Sequence, residues 1–108
     1  MSNKSSHLEA TKLFHILSHQ ARLHILDELR KDEACVCHLQ AVLKRPQAYV
    51  SQQLRVLREV DLVADRRDGL PVYYRLADPQ VKRLLENVLG PAGDPTCLAG
   101  CSCPRCQR

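Results

Sequence analysis

No apolar run in this 108-residue chain approaches the ~18 residues needed to span a membrane as a helix. The leading segment Met1-Ser2-Asn3-Lys4-Ser5-Ser6-His7 has no apolar stretch either, so no secretory signal is expected. Charge of one sign is in only mild excess. Sixteen Lys and Arg against 12 Asp and Glu give a net charge of +4, compatible with an anionic partner but too weak to specify one. These absences point to a cytoplasmic chain with no membrane partner. In that compartment the six cysteines imply metal or redox chemistry rather than a disulfide framework.

The length suits one domain with a high surface-to-volume ratio, which a dimer would relieve by burying a further apolar face. Ser6-His7-Leu8-Glu9 reads as a capping box. Leu8, Leu13, Ile16 and Leu17 then keep helical spacing to about Ser18. Ser18 is placed to cap a second helix with Leu23, Ile25, Leu26 and Leu29 as its buried stripe, broken by Lys31-Asp32-Glu33. Val36, Leu39, Val42 and Leu43 describe a short third helix, and Pro46 suits the first turn of a fourth.

In that fourth helix Val50, Leu54 and Leu57 share one face. At about 100° per residue, Ser51, Gln52, Arg55 and Arg58 point away from it. Ser, Gln and Arg offer the donors and acceptors that read base edges and phosphates. Taken alone, such a face is more often merely solvated. Residues 62–67 and 70–76, however, flank Asp68-Gly69, a type I′ hairpin signal. Arg66 and Arg67 then lie near its tip. Short helices followed by a basic hairpin make a winged helix-turn-helix, and the coincidence of both halves favours double-stranded DNA as partner. The candidate DNA-contacting set is Gln47, Tyr49, Ser51, Gln52, Gln53, Arg55, Arg58, Arg66 and Arg67.

Asp78-Pro79 opens a last helix, with Val81, Leu84, Leu85, Val88 and Leu89 as a wide apolar stripe and Gly90-Pro91 as its stop. The stripe exceeds what a winged core can cover, so the first and last helices are expected to form a homodimer. The expected fold is mainly α with a small β-hairpin, in the order ααααββα. Residues 1–90 would be the DNA-binding and dimerisation domain, and 91–108 a flexible Cys-rich tail.

From about Leu13 to Pro79 the chain resembles the ArsR/SmtB family of metal-responsive repressors. Leu17-Ser18 with Ala21-Arg22-Leu23-His24-Ile25-Leu26 is similar to its second-helix signature, and Cys35-Val36-Cys37-His38-Leu39 to its metal-binding box. Val50-Ser51-Gln52-Gln53-Leu54 with Leu57-Arg58 resembles the recognition-helix pattern, and Tyr73-Tyr74-Arg75-Leu76 the returning wing strand. The resemblance implies a repressor that leaves its operator when Cys35 and Cys37 bind a thiophilic inducer. This chain departs from the family at His38, where Asp is usual, at Gln53, where many members have His, and at Gln40, where some arsenic sensors carry a third cysteine. The family's alternative site on the last helix needs Asp and His, and residues 79–89 contain no His. That argues against a zinc or nickel sensor of that type.

As(III) takes three thiolates, and Cd(II), Pb(II), Hg(II) and Sb(III) also suit sulfur. Cys35 and Cys37 supply two. In a regular helix they would diverge by about 200°, so the expectation is a distorted first turn whose unwinding on ion binding releases DNA. The third ligand is sought in the tail, among Cys97, Cys101, Cys103 and Cys106. Alternatively these four form a separate Zn site, Cys103-Pro104-Arg105-Cys106 having CxxC spacing. His15 and His19, four apart, lack a third ligand and are expected to cap or pack.

Two rivals keep some of these features: a redox or persulfide sensor of the same fold, and a cysteine-rich metal buffer. A thiol oxidoreductase using Cys103 and Cys106 is disfavoured, because no βαβ pattern surrounds that pair.

Overall fold

The computed structural model describes residues 3–69 and 71–94. Cys97, Cys101, Cys103 and Cys106, and with them most of the expected tail, lie outside the described residues. Among the described residues five helices and three strands run α1 (Asn3–Leu17), α2 (Gln20–Lys31), β1 (Ala34–Cys35), α3 (Val36–Leu43), α4 (Gln47–Glu59), β2 (Val63–Arg67), β3 (Val72–Leu76) and α5 (Pro79–Leu89). The strands form one antiparallel sheet in the order β1-β3-β2. This is a winged helix-turn-helix with one strand more than the ααααββα expectation.

The apolar spacings work largely as sequence periodicity requires. Ile25, Leu26, Leu39, Val50, Leu54, Leu57 and Val81 are fully buried in one core, joined by Leu17, Leu29, Cys35, Tyr73 and Leu85. Burying side chains of this size contributes about 1.5–3 kcal/mol each relative to exposure. Around that core α2 and α4 are clamped by α3, and the sheet closes one end. Arg30 and Lys31 in the last turn of α2 complement the helix dipole. They also pair with Asp27 and Glu28 at 2.7 and 2.8 Å.

Several local expectations are corrected. Helix α1 already begins at Asn3, so Ser6 lies inside it rather than capping it. His19, not Ser18, occupies the N-cap of α2, and it makes no side-chain cap bond. The Ser18 hydroxyl instead donates backwards to the His15 carbonyl at 3.1 Å. Pro46 is the N-cap of α4, with helical pairing starting at its carbonyl through Val50 N–H. The wing turn is centred after Gly69, not within Asp68-Gly69: Arg67 pairs with Val72, and Asp68 N–H donates to Pro71 O at 3.1 Å. Pro71 has no amide to give the ladder and serves only as acceptor. Asp78-Pro79, by contrast, behaves as expected. The Asp78 carboxylate accepts from the Gln80 and Val81 amides at 2.8 and 3.3 Å, and Pro79 takes the first helical position.

An apolar surface remains uncovered on α1 and α5. Val88 is 69% exposed, Phe14 57%, Leu8 55% and Leu89 48%. Beside them a groove of about 680 Å³ runs between α1, the end of α4 and the start of α5, with Leu13, Phe14, Ile16, Val60, Leu62 and Leu84 in its walls.

Candidate metal centre and nucleic-acid interface

The thiol pair does not sit within a helix. Cys35 is extended (φ −85°, ψ 168°), forms the end of β1 and is the N-cap of α3; Cys37 lies in the first turn of α3. The chain therefore changes conformation between the two residues, and helical divergence does not apply. Their Sγ atoms are 3.0 Å apart, one thiol donating to the other. Both are free thiols, Cys35 buried and Cys37 exposed. The expected conflict between helix geometry and convergence is thus absent, and with it the reason for invoking an unwound first turn.

The neighbouring Cys35 thiol pushes the Cys37 thiol above its ordinary value, helped by partial burial and opposed by backbone hydrogen bonds at Cys37 and His38. Cys37 must therefore give up a more firmly held proton before its thiolate can hold an ion. The donor set fits a soft ion in kind, two convergent sulfurs with one open to solvent. No group of three or more His, Cys, Asp and Glu side chains able to hold an ion occurs among the described residues. His38, where Asp is usual, is wholly buried and directs Nε2 at Glu28 (3.6 Å), away from a liganding role with the cysteines.

Strand β1 ties this site to the wing. Ala34 pairs with Tyr74 and Cys35 with Tyr73. Glu33, just upstream, accepts from Arg66 Nε and Nη2 at 3.0 and 2.7 Å. The Arg66 guanidinium lies over the Tyr73 ring, 4.8 Å from its centroid. Glu33 and Tyr73 were not candidates by sequence. The one available signal was the position of Glu33, two residues before the first cysteine.

On α4 most of the residues expected to contact DNA lie on the exposed face. Gln47, Ser51, Gln52, Arg55 and Arg58 are exposed, and Tyr49 is half-buried beneath the Arg45 guanidinium at 4.6 Å. Ser51, Gln52, Arg55 and Arg58 line a cleft of about 580 Å³ with Tyr74 of the wing strand. Arg58 reaches Asp65 of β2 at 3.3 Å, whereas Arg55 and Arg67 have no polar partner among the described residues. Gln53 is a correction: it is buried, and its side-chain oxygen accepts from Arg22 Nε at 2.9 Å. Arg22 also donates to the Ile16 carbonyl at 3.4 Å. Gln53 therefore fastens α4 to the α1–α2 junction and cannot face a duplex. His15 and His19 assemble no site. His15 is exposed on α1, and the buried His19 Nδ1 has no hydrogen-bond partner among the described residues.

The chain is a winged helix-turn-helix with Cys35 of the thiol pair on its edge strand, and its similarities to known proteins specify the class. Residues 19–65 match the family described as bacterial regulatory protein, arsR family. A transcriptional repressor SmtB homolog of Synechocystis is 41% identical over 74% of this chain and 61% of its own length. The arsenical resistance operon repressor of Escherichia coli is 43% identical over 67% of this chain and 62% of its own. The homodimeric winged helix-turn-helix DNA-binding domain of Mb0332 from Mycobacterium bovis superposes with a TM-score of 0.71 at 30% identity, covering 82% of this chain and 84% of that one. The chain belongs to the ArsR family. It spans about three fifths of the length of the two repressors. No helix among the described residues is long and apolar enough to cross a membrane.

Proposed function

We propose that this protein is a homodimeric, DNA-binding transcriptional repressor that leaves its operator when Cys35 and Cys37 capture a thiophilic metalloid or metal ion. As(III) is the favoured inducer, with Sb(III), Cd(II), Pb(II) and Hg(II) as further candidates. The observation that carries the reading is the 3.0 Å approach of the Cys37 sulfur to that of Cys35, which ends a strand paired with the wing. Soft ions select thiolates over the oxygen and nitrogen donors around them.

On this reading Ser51, Gln52 and Arg55 of α4 enter the major groove, with Gln47, Tyr49, Arg58, Arg66 and Arg67 at the flanking backbone. The uncovered apolar faces of α1 and α5 meet their counterparts across a two-fold axis, placing two recognition helices on successive turns of DNA. The resemblance to a repressor of an arsenical resistance operon supports the choice of inducer class. Tail cysteines Cys97, Cys101, Cys103 and Cys106 remain the proposed source of a third thiolate, or of a separate Zn site.

Release follows from linkage. An ion that binds the DNA-free form better than the DNA-bound form weakens DNA affinity by the same factor as DNA weakens ion affinity. The test is titration of the reduced protein on a labelled duplex from upstream of its own gene with arsenite, Cd(II) and, as control, Mg(II). Thiolate charge-transfer absorption is followed in parallel. Release by the soft ions alone, in step with the new absorption, is expected. Release by a persulfide donor with no response to any of these ions would favour the redox-sensing alternative and overturn the metal reading.

A further inference from the structure

We propose that Glu33 masks Arg66, forming an autoinhibitory latch through which the state of the thiol pair reaches the wing. This rests on the DNA-binding and thiol-sensing reading above and names the element that regulates it. Arg66 is, with Arg67, one of two wing-tip cations placed by sequence for a phosphate, yet two of its three nitrogens are engaged within the protein while its side chain stays 45% exposed. Nε and Nη2 both go to the Glu33 carboxylate, Nη1 faces Asp68 at 3.9 Å, and the π face rests on Tyr73. Two carboxylates around one guanidinium leave the patch net negative. A phosphate approaching it meets repulsion until Glu33 is displaced. Two-point contact and ring stacking make this a more ordered pair than the usual single-contact surface bridge.

The same contact belongs to the sensor. Glu33 precedes β1 directly, and Cys35 pairs with Tyr73, the residue under the guanidinium. Carboxylate, thiol and wing cation therefore sit on one small patch of sheet. Holding both sulfurs on an ion fixes β1, and a fixed β1 keeps Glu33 on Arg66. DNA contact by Arg66 does the reverse, removing the guanidinium from the strand that carries the sensor. The two outcomes compete for one side chain, which is what a coupling free energy between two sites requires.

A double-mutant cycle decides the matter. Duplex affinity is measured for the wild type, Glu33→Gln, Arg66→Ala and the double variant, without ions and then with arsenite, at two salt concentrations. Glu33→Gln keeps the shape of the side chain, and a thermal melt checks its fold. The expected result is roughly 3- to 10-fold tighter ion-free binding for Glu33→Gln, with a salt slope steeper by about one phosphate contact. That gain should vanish when Arg66 is Ala. The factor by which arsenite weakens binding should shrink by a similar 3- to 10-fold in Glu33→Gln. An unchanged affinity, or a gain that persists without Arg66, overturns the latch, since the latter is only removal of a general negative charge. If wild-type binding ignores arsenite, the choice of inducer fails instead, and the ion-free cycle still decides whether Glu33 masks Arg66.

Discussion

Arg55 of the recognition helix and Arg66 of the wing are both expected to meet the same duplex, but they are held differently. On α4, Arg55 projects from a helix anchored by the fully buried Val50, Leu54 and Leu57 and has no polar partner among the described residues. On the wing, Arg66 is held by Glu33 and stacked on Tyr73. One cation is ready for DNA and the other is committed to the protein until something displaces it. The lesson is that a basic residue at a wing tip is no measure of DNA affinity until its intramolecular partners are known. Here those partners lead back to the thiol pair.

The largest expected effect comes from removing the platform beneath the ready cation. Leu54→Ala should cost about 2–5 kcal/mol of folding stability, read by denaturant melts, because the residue is fully buried in the core. A loss below 1 kcal/mol would mean that α4 is not anchored by this face. Next is the direct comparison of the two cations. Arg55→Ala should weaken duplex binding by about 1–3 kcal/mol, roughly 5- to 150-fold, and flatten the salt slope by about one contact. Arg66→Ala should cost less than about threefold, since its release from Glu33 offsets most of its phosphate contact. Equal losses would erase the distinction.

A smaller effect tests the hinge between wing and last helix. Asp78→Ala removes the acceptor for the Gln80 and Val81 amides and should cost about 1 kcal/mol, leaving the Arg55 and Arg66 responses unchanged. The last concerns pH. The Cys37 thiol is raised chiefly by its hydrogen bond with Cys35. Its proton is therefore held more firmly in the folded state, a contribution to stability fully present below the unfolded thiol's value and lost only as pH rises through the folded one. Ion binding runs the opposite way. Each thiol proton displaced should tighten it about tenfold per pH unit below the thiol range, and Cys35→Ser should lower that slope by one proton. A pH-independent affinity would remove the thiols from the site.

The parts of this architecture legible in the sequence are those with a repeating or self-contained signal. Val50, Leu54 and Leu57 announce their face by spacing, and Asp78-Pro79 carries its cap within two residues. Strand β1 was invisible because two residues have no period, and its partners Tyr73 and Tyr74 lie in the wing, far along the chain. Without β1 in view, helical divergence is the wrong measure for the thiols, because Cys35 ends a strand and only Cys37 is helical. Gln53 failed for a related reason. Its position on the helix wheel is adjacent to the polar face, and only the arrival of Arg22 from α2 decides that it is buried. Contacts made at a distance in sequence, such as Glu33 with Arg66, leave no local trace.

The most direct test of the whole account is operator affinity of the Cys37→Ser and Cys35→Ser/Cys37→Ser proteins with and without arsenite. The serine proteins should bind the duplex within about threefold of the wild type, because neither thiol belongs to the proposed DNA-contacting set, and should stay bound when arsenite is added. Arsenite-driven release from a protein lacking both sulfurs would contradict the account.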